Sequence, residues 1–71
     1  MKRTAYFVSN QFEFNSLQSA VDNSIKKRDE FLKSNAENIA KIESEVLSTS
    51  LGINGHHVFA IIAVTYYPKE Q

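Results

Sequence analysis

Seventy-one residues without a cysteine allow one small domain with no disulfide to supplement a core that at this size rarely supplies more than ~3–5 kcal/mol. Eight lysines and arginines balance eight aspartates and glutamates, so the basic excess of a protein that grips nucleic acid through its phosphates is missing and nucleic acid is a disfavoured partner. No segment approaches the roughly eighteen apolar residues of a membrane span, and the apolar stretch after Met1-Lys2-Arg3 is too short for a secretory leader; a cytoplasmic location without membrane contact is expected.

Taken in chain order, Thr4-Ala5-Tyr6-Phe7-Val8-Ser9 is rich in aromatic and β-branched residues and predicts a first strand over residues 4–9. After a connection carrying Phe12 and Phe14, Asn15 reads as a helix N-cap, with Gln18 at the capping-box spacing to return a hydrogen bond. The helix is predicted over 15–34. Leu17, Ala20, Val21, Ile25, Phe31 and Leu32 share one face, and Asp22, Asn23, Lys26, Glu30 and Lys33 the other. Asp22 with Lys26 and Asp29 with Lys33 form favourable i,i+4 pairs.

Residues 36–51 carry two patterns. Ala36, Ile39, Ala40, Val46 and Leu47 would extend a helix, but its heptad seam would contain Arg28 and Asn35. As a strand over 39–49, Ala40, Ile42, Ser44, Val46 and Ser48 form a modestly apolar face against the charged Lys41, Glu43 and Glu45, as an edge strand needs. Asn35 as a helix terminator and the helix-poor Ser48-Thr49-Ser50 favour the strand. A hairpin over 50–56 with its Asn54-Gly55 turn signal leads into the last strand, 57–67, stopped by Pro68. In that strand Val58, Ala60, Ile62, Val64 and Tyr66 point one way and Phe59, Ile61, Ala63, Thr65 and Tyr67 the other, so both faces need cover.

The predicted fold is α+β, a single βαββ domain (residues 1–71) with a three-stranded antiparallel sheet in the order 2-3-1 and one helix on one face. A chain this short covers only that face. The other is expected to be closed by a second copy, since large exposed apolar patches on soluble monomers usually mark interfaces.

With this element order in place, the chain resembles two groups of very small proteins. One is the dodecins, hollow multimers of a βαββ unit. The other is the small Gram-positive sporulation-protein family, through Ser48-Thr49-Ser50 before the hairpin and Val58-Phe59-Ala60-Ile61-Ile62 leading into Tyr66-Tyr67. The resemblance implies self-assembly around a small unit and transfers no site residue. No cofactor is expected, the chain having no tryptophan for dodecin-type flavin stacking.

Four residues stand out as candidate ligand contacts. Arg28 lies in the middle of the apolar stripe between Ile25 and Leu32. Its guanidinium either holds a phosphate or carboxylate at a subunit seam or pairs with Glu43 or Glu45 while its stem packs. Lys27, within Lys26-Lys27-Arg28, either joins an anion-binding surface with Lys2 and Arg3 or lies on a solvated face neutralised by Asp22, Asp29 and Glu30. Tyr67 either stacks on a planar ligand or anchors an interface. His57, beside His56, is a pH-sensitive element or a plain loop histidine. No serine, cysteine or carboxylate is tied to the histidines by recognisable spacing, and adjacent histidines make a poor metal cage, so no catalytic residue and no metal site is expected.

The expected function is that of a non-enzymatic homo-oligomer sequestering a small anionic or planar, nucleotide-like ligand between subunits. A short chain with no catalytic constellation suits a phage-type sponge or inhibitor. The alternative is a regulator that docks on a partner protein through its apolar sheet face.

Overall fold

The computed structural model describes residues 1–10, 16–51 and 58–70. They form β1 (Arg3–Val8), α1 (Leu17–Ser34), β2 (Ile39–Leu51) and β3 (Val58–Pro68). The three strands make one antiparallel sheet with β3 between β1 and β2, the α+β arrangement and strand order that the sequence predicts. The Asn-Gly turn and His57 lie outside the described residues.

Alternation along β3 builds the core. Val58, Ala60, Ile62 and Val64 are buried on the side that α1 covers. Phe7 from β1 joins Ile62 and Val64, with Ala5, Ile25, Phe31 and Tyr66 packed around them. The Phe31 ring sits between Phe7 and Tyr66, at centroid distances of 5.3 and 5.8 Å, in tilted and edge-on contacts that add to the area they bury. Toward the other end, Ala20 and Val21 pack on Val58 and Ala60. Ala20 and Ala60 are fully buried, and with no side chain beyond Cβ they let the helix approach the strand closely enough for the Ser24 hydroxyl to donate to the Ala60 carbonyl at 2.8 Å.

The helix ends differ from expectation in two respects. Ser16, not Asn15, is the N-cap: its Oγ accepts the Ser19 N–H at 3.1 Å and donates to the Ser19 hydroxyl at 2.8 Å. Gln18 therefore falls one position short of the capping-box site, and its amide donates to Asp22 instead (2.9 Å). At the C-terminus Asn35 does end the helix, but at φ −114° rather than in a left-handed cap. Its backbone N–H and its side-chain amide both donate to the Phe31 carbonyl, and a single 3₁₀ turn, Ala36–Asn38, leads into β2.

β2 is a strand, as favoured, but not a regular one. Its pairing with β3 steps over Ala40 and again over Glu43, two bulges that each place one extra residue against the partner. Each extra residue reverses the side-chain parity. Ile42, opposite Tyr66, then lies on the helix side, whereas Val46, opposite Ala63, lies on the far side. The single apolar face that the sequence suggests for Ile42 and Val46 is thus divided between the two sides of the sheet.

α1 packs on β3 and β1 and leaves β2 uncovered; every β2 residue from Lys41 to Ser50 is exposed. The chain's radius of gyration of 13.7 Å exceeds the value of about 11 Å for a compact domain of this length, because the long β2–β3 pair extends beyond the part that the helix covers.

Candidate functional site

The sheet face opposite α1 has no cover among the described residues. Residues directly opposite one another across a ladder point to the same side, so the register defines its rows: Val8, Ile61 and Ser48; then Tyr6, Ala63 and Val46; then Thr4, Thr65 and Ser44. The Thr4 and Thr65 hydroxyls, 3.1 Å apart, close the third row. Tyr6 is 68% exposed, Val46 55%, Val8 39% and Ile61 36%. An apolar centre with a serine and threonine border results.

One end of this face carries charge. Tyr67 donates its hydroxyl to Glu43 Oε1 at 3.0 Å, and Lys2 Nζ lies 3.2 Å from Oε2 of the same carboxylate. The Glu43 bulge turns the side chain toward Tyr67. The Tyr67 hydrogen bond first, and then that from Lys2, hold the Glu43 carboxyl below the usual carboxylate range, while Glu43 raises Lys2 above the ordinary lysine value. The stabilisation from Glu43 is accordingly present above the unfolded carboxylate range and lost as pH falls through the folded value. That from Lys2 is present below the unfolded lysine value and lost as pH rises through the folded one. Tyr67→Phe is expected to move the Glu43 titration back up toward the ordinary carboxylate range, read by side-chain carboxyl NMR. An unmoved midpoint would show that Tyr67 does not set it.

The candidate ligand contacts fall in different places. Arg28 donates through Nε and Nη2 to Asp29 Oδ1 (3.0 and 2.8 Å) and through Nη1 to Glu45 Oε1 at 3.1 Å, so it bridges α1 to β2. Its hydrogen bond to Asp29 raises the guanidinium pKa further, and Asp29 faces Arg28 rather than the expected Lys33. Lys27 reaches the opposite edge, donating to the Val8 carbonyl and to Asn10 Oδ1, both at 2.7 Å. Tyr67 is on the far face. One chain therefore does not gather Arg28, Lys27 and Tyr67 into a common pocket. A shallow concavity lined by Asp22, Ile25, Lys26, Asp29, Glu30 and Lys33 lies along α1, and among the described residues no group from another element lines it.

Two buried serines, Ser9 and, beside Arg28 on the helical wheel, Ser24, have roles that the sequence pattern does not assign. Ser9 Oγ accepts the Ala60 N–H at 3.0 Å while its own N–H donates to the Ala60 carbonyl at 2.9 Å. The side chain thus takes the ladder position of the Ser9 carbonyl and ends the β1–β3 pairing. Ser24 completes the group from the helix. The legible signal was a serine inside an apolar helical stripe, a position where the hydroxyl needs a partner. Among the described residues no helix is long and apolar enough to cross a membrane. No family model, curated protein or solved structure matches the chain.

Proposed function

We propose that the chain is a non-enzymatic, homo-oligomeric binding protein in which the open sheet face is buried against a second copy and a small planar or anionic, nucleotide-like ligand is held at the seam. The observation that carries this reading is the exposure of Tyr6, Val8, Val46 and Ile61 together on one side of the sheet. The chain's accessible surface of 5103 Å² also exceeds the roughly 4,500 Å² typical of a folded monomer of its mass.

The charged end of the open face supports this reading. Lys41 is opposite Tyr67 and shares its side of the sheet, so Tyr67, Lys2 and Lys41 surround one carboxylate with an aromatic ring and two cations. A face-to-face neighbour supplies the walls that a single sheet lacks, giving mainly apolar space with a few fixed polar groups. Arg28, held by Asp29 and Glu45 on the helix side, and Lys27, held at the β1 edge, do not line this seam.

The test is native mass spectrometry of the purified chain under gentle and then harsher activation. A defined oligomer that releases a small extra mass is the expected result. An oligomer without that mass would remove the ligand from the reading. A monomer would overturn self-assembly and give the face to a protein partner.

A further inference from the structure

We infer that β2 also pairs with the β2 strand of a second copy, antiparallel, about a two-fold axis at Leu47. This goes beyond the face-to-face contact, because an edge and a face are separate surfaces. Ala60 turns both its N–H and its C=O toward β1, where Ser9 takes them. Its partner across the other ladder, Thr49, accordingly turns its own pair away from β3. Alternation along the strand gives Glu45 and Leu47 the same outward orientation. No described hydrogen bond occupies these groups.

The two sheet edges differ. β1 is short, and its outward Val8 carbonyl is taken by the Lys27 ammonium, the kind of lysine guard that blunts an edge against further pairing. β2 is 13 residues long, with an uninterrupted register from Ser44 to Leu51 and no described side chain on its backbone. Leu47, 52% exposed, sits on the helix side, yet α1 does not reach over it. An incoming strand therefore meets no steric obstacle there among the described residues.

The sequence of the edge selects the partner and the register. A two-fold axis at Leu47 sets Leu47 against its own copy, Glu45 against Thr49, Val46 against Ser48 and Ser44 against Ser50, so each carboxylate faces a hydroxyl that can donate to it. Moving the axis to Ser44 would set Glu43 against Glu45 twice and carry the pairing into the bulge, and like charges directly opposite are destabilising. The strand is thus self-complementary at Leu47. Pairing there joins the two sheets into one, with both helices on the same side.

Sedimentation equilibrium of the full chain tests the register with two substitutions at one position. Thr49→Glu sets an added carboxylate against Glu45 at two symmetric places and is expected to weaken the edge-paired dimer roughly tenfold. Thr49→Lys sets an ammonium there and is expected to leave the dimer as tight or tighter. Equal effects of the two variants, no effect of either, or a monomeric parent chain would each overturn the pairing. Ile61→Glu separates this contact from the face contact. A dimer that survives Ile61→Glu and is then split by Thr49→Glu supports the edge, whereas monomer from Ile61→Glu alone overturns it. An assembly indifferent to Ile61→Glu sinks the face reading and leaves the edge standing.

Discussion

Ile61→Glu is expected to loosen the assembly while the chain stays folded, and Ile62→Glu to unfold it, although the two residues are neighbours on one strand. Ile61 is 36% exposed on the open face, between Val8 and Ser48. In the free chain its replacement carboxylate stays in water, and the cost is a modest loss of strand propensity. Against a second sheet the same carboxylate would be desolvated without a partner, at several kcal/mol. Each 1.4 kcal/mol is a factor of ten in affinity, so the face contact should weaken more than about a hundredfold. Ile62 is 4% exposed and packs with Phe7 and Val64. A carboxylate there is buried in the folded chain itself, at a cost comparable with the ~3–5 kcal/mol that a core of this size supplies. Circular dichroism and sedimentation velocity on both variants check the pair. An Ile61→Glu chain that assembles like its parent removes the open face as an interface, and a folded Ile62→Glu chain contradicts the core described above.

The contrast between Ile61 and Ile62 shows what was legible in the sequence. The central strand, apolar on both alternating sides, fixed its own position in the sheet, because an edge strand cannot cover two apolar faces. The helix was legible from its periodicity. Its cap was not, since Asn15 and Ser16 are adjacent residues of equal capping chemistry, and the choice rests on the Ser19 N–H and hydroxyl that Ser16 engages. The faces of β2 were misread for a different reason. Parity along a strand holds only while the ladder is regular, and the extra residues at Ala40 and Glu43 appear only when the strand is laid against Tyr66 and Tyr67.

The candidate site was less legible because its residues are defined by what lies across from them. Arg28 stood out as a cation in an apolar stripe, and Glu45 was among the partners considered, but the adjacent Asp29, which supplies two of its hydrogen bonds, was assigned to Lys33. Lys27 read as part of a basic cluster. Its place on the outward carbonyl of Val8 depends on which β1 groups β3 leaves free, and side-chain periodicity carries no such information. Alternation puts Tyr67 on the side opposite Tyr66 but does not say which side the helix covers, and its hydroxyl partner Glu43 is placed by a bulge.

Ser9→Ala is expected to cost about 1–3 kcal/mol, more than Ser24→Ala at about 1 kcal/mol, although both serines are buried around the same residue. The difference follows from counting donors and acceptors at Ala60. Its N–H has one described acceptor, Ser9 Oγ, whereas its carbonyl receives two donors, the Ser9 N–H and the Ser24 hydroxyl. Removing the Ser9 hydroxyl leaves a buried N–H without a partner. Removing the Ser24 hydroxyl leaves the carbonyl still bonded. Urea unfolding of both variants at one fixed protein concentration measures the difference, the fixed concentration being needed because the proposed assembly would add to apparent stability. A larger loss for Ser24→Ala would invert this account. Hydrogen exchange supplies the local reading, with the Ala60 amide exchanging faster in Ser9→Ala than in Ser24→Ala. The effect reaches the proposed interface as well. Ser9 pins the end of β1, and β1 carries Tyr6 and Val8 into the open face, so a chain frayed at Ser9 should also assemble less tightly than one altered at Ser24.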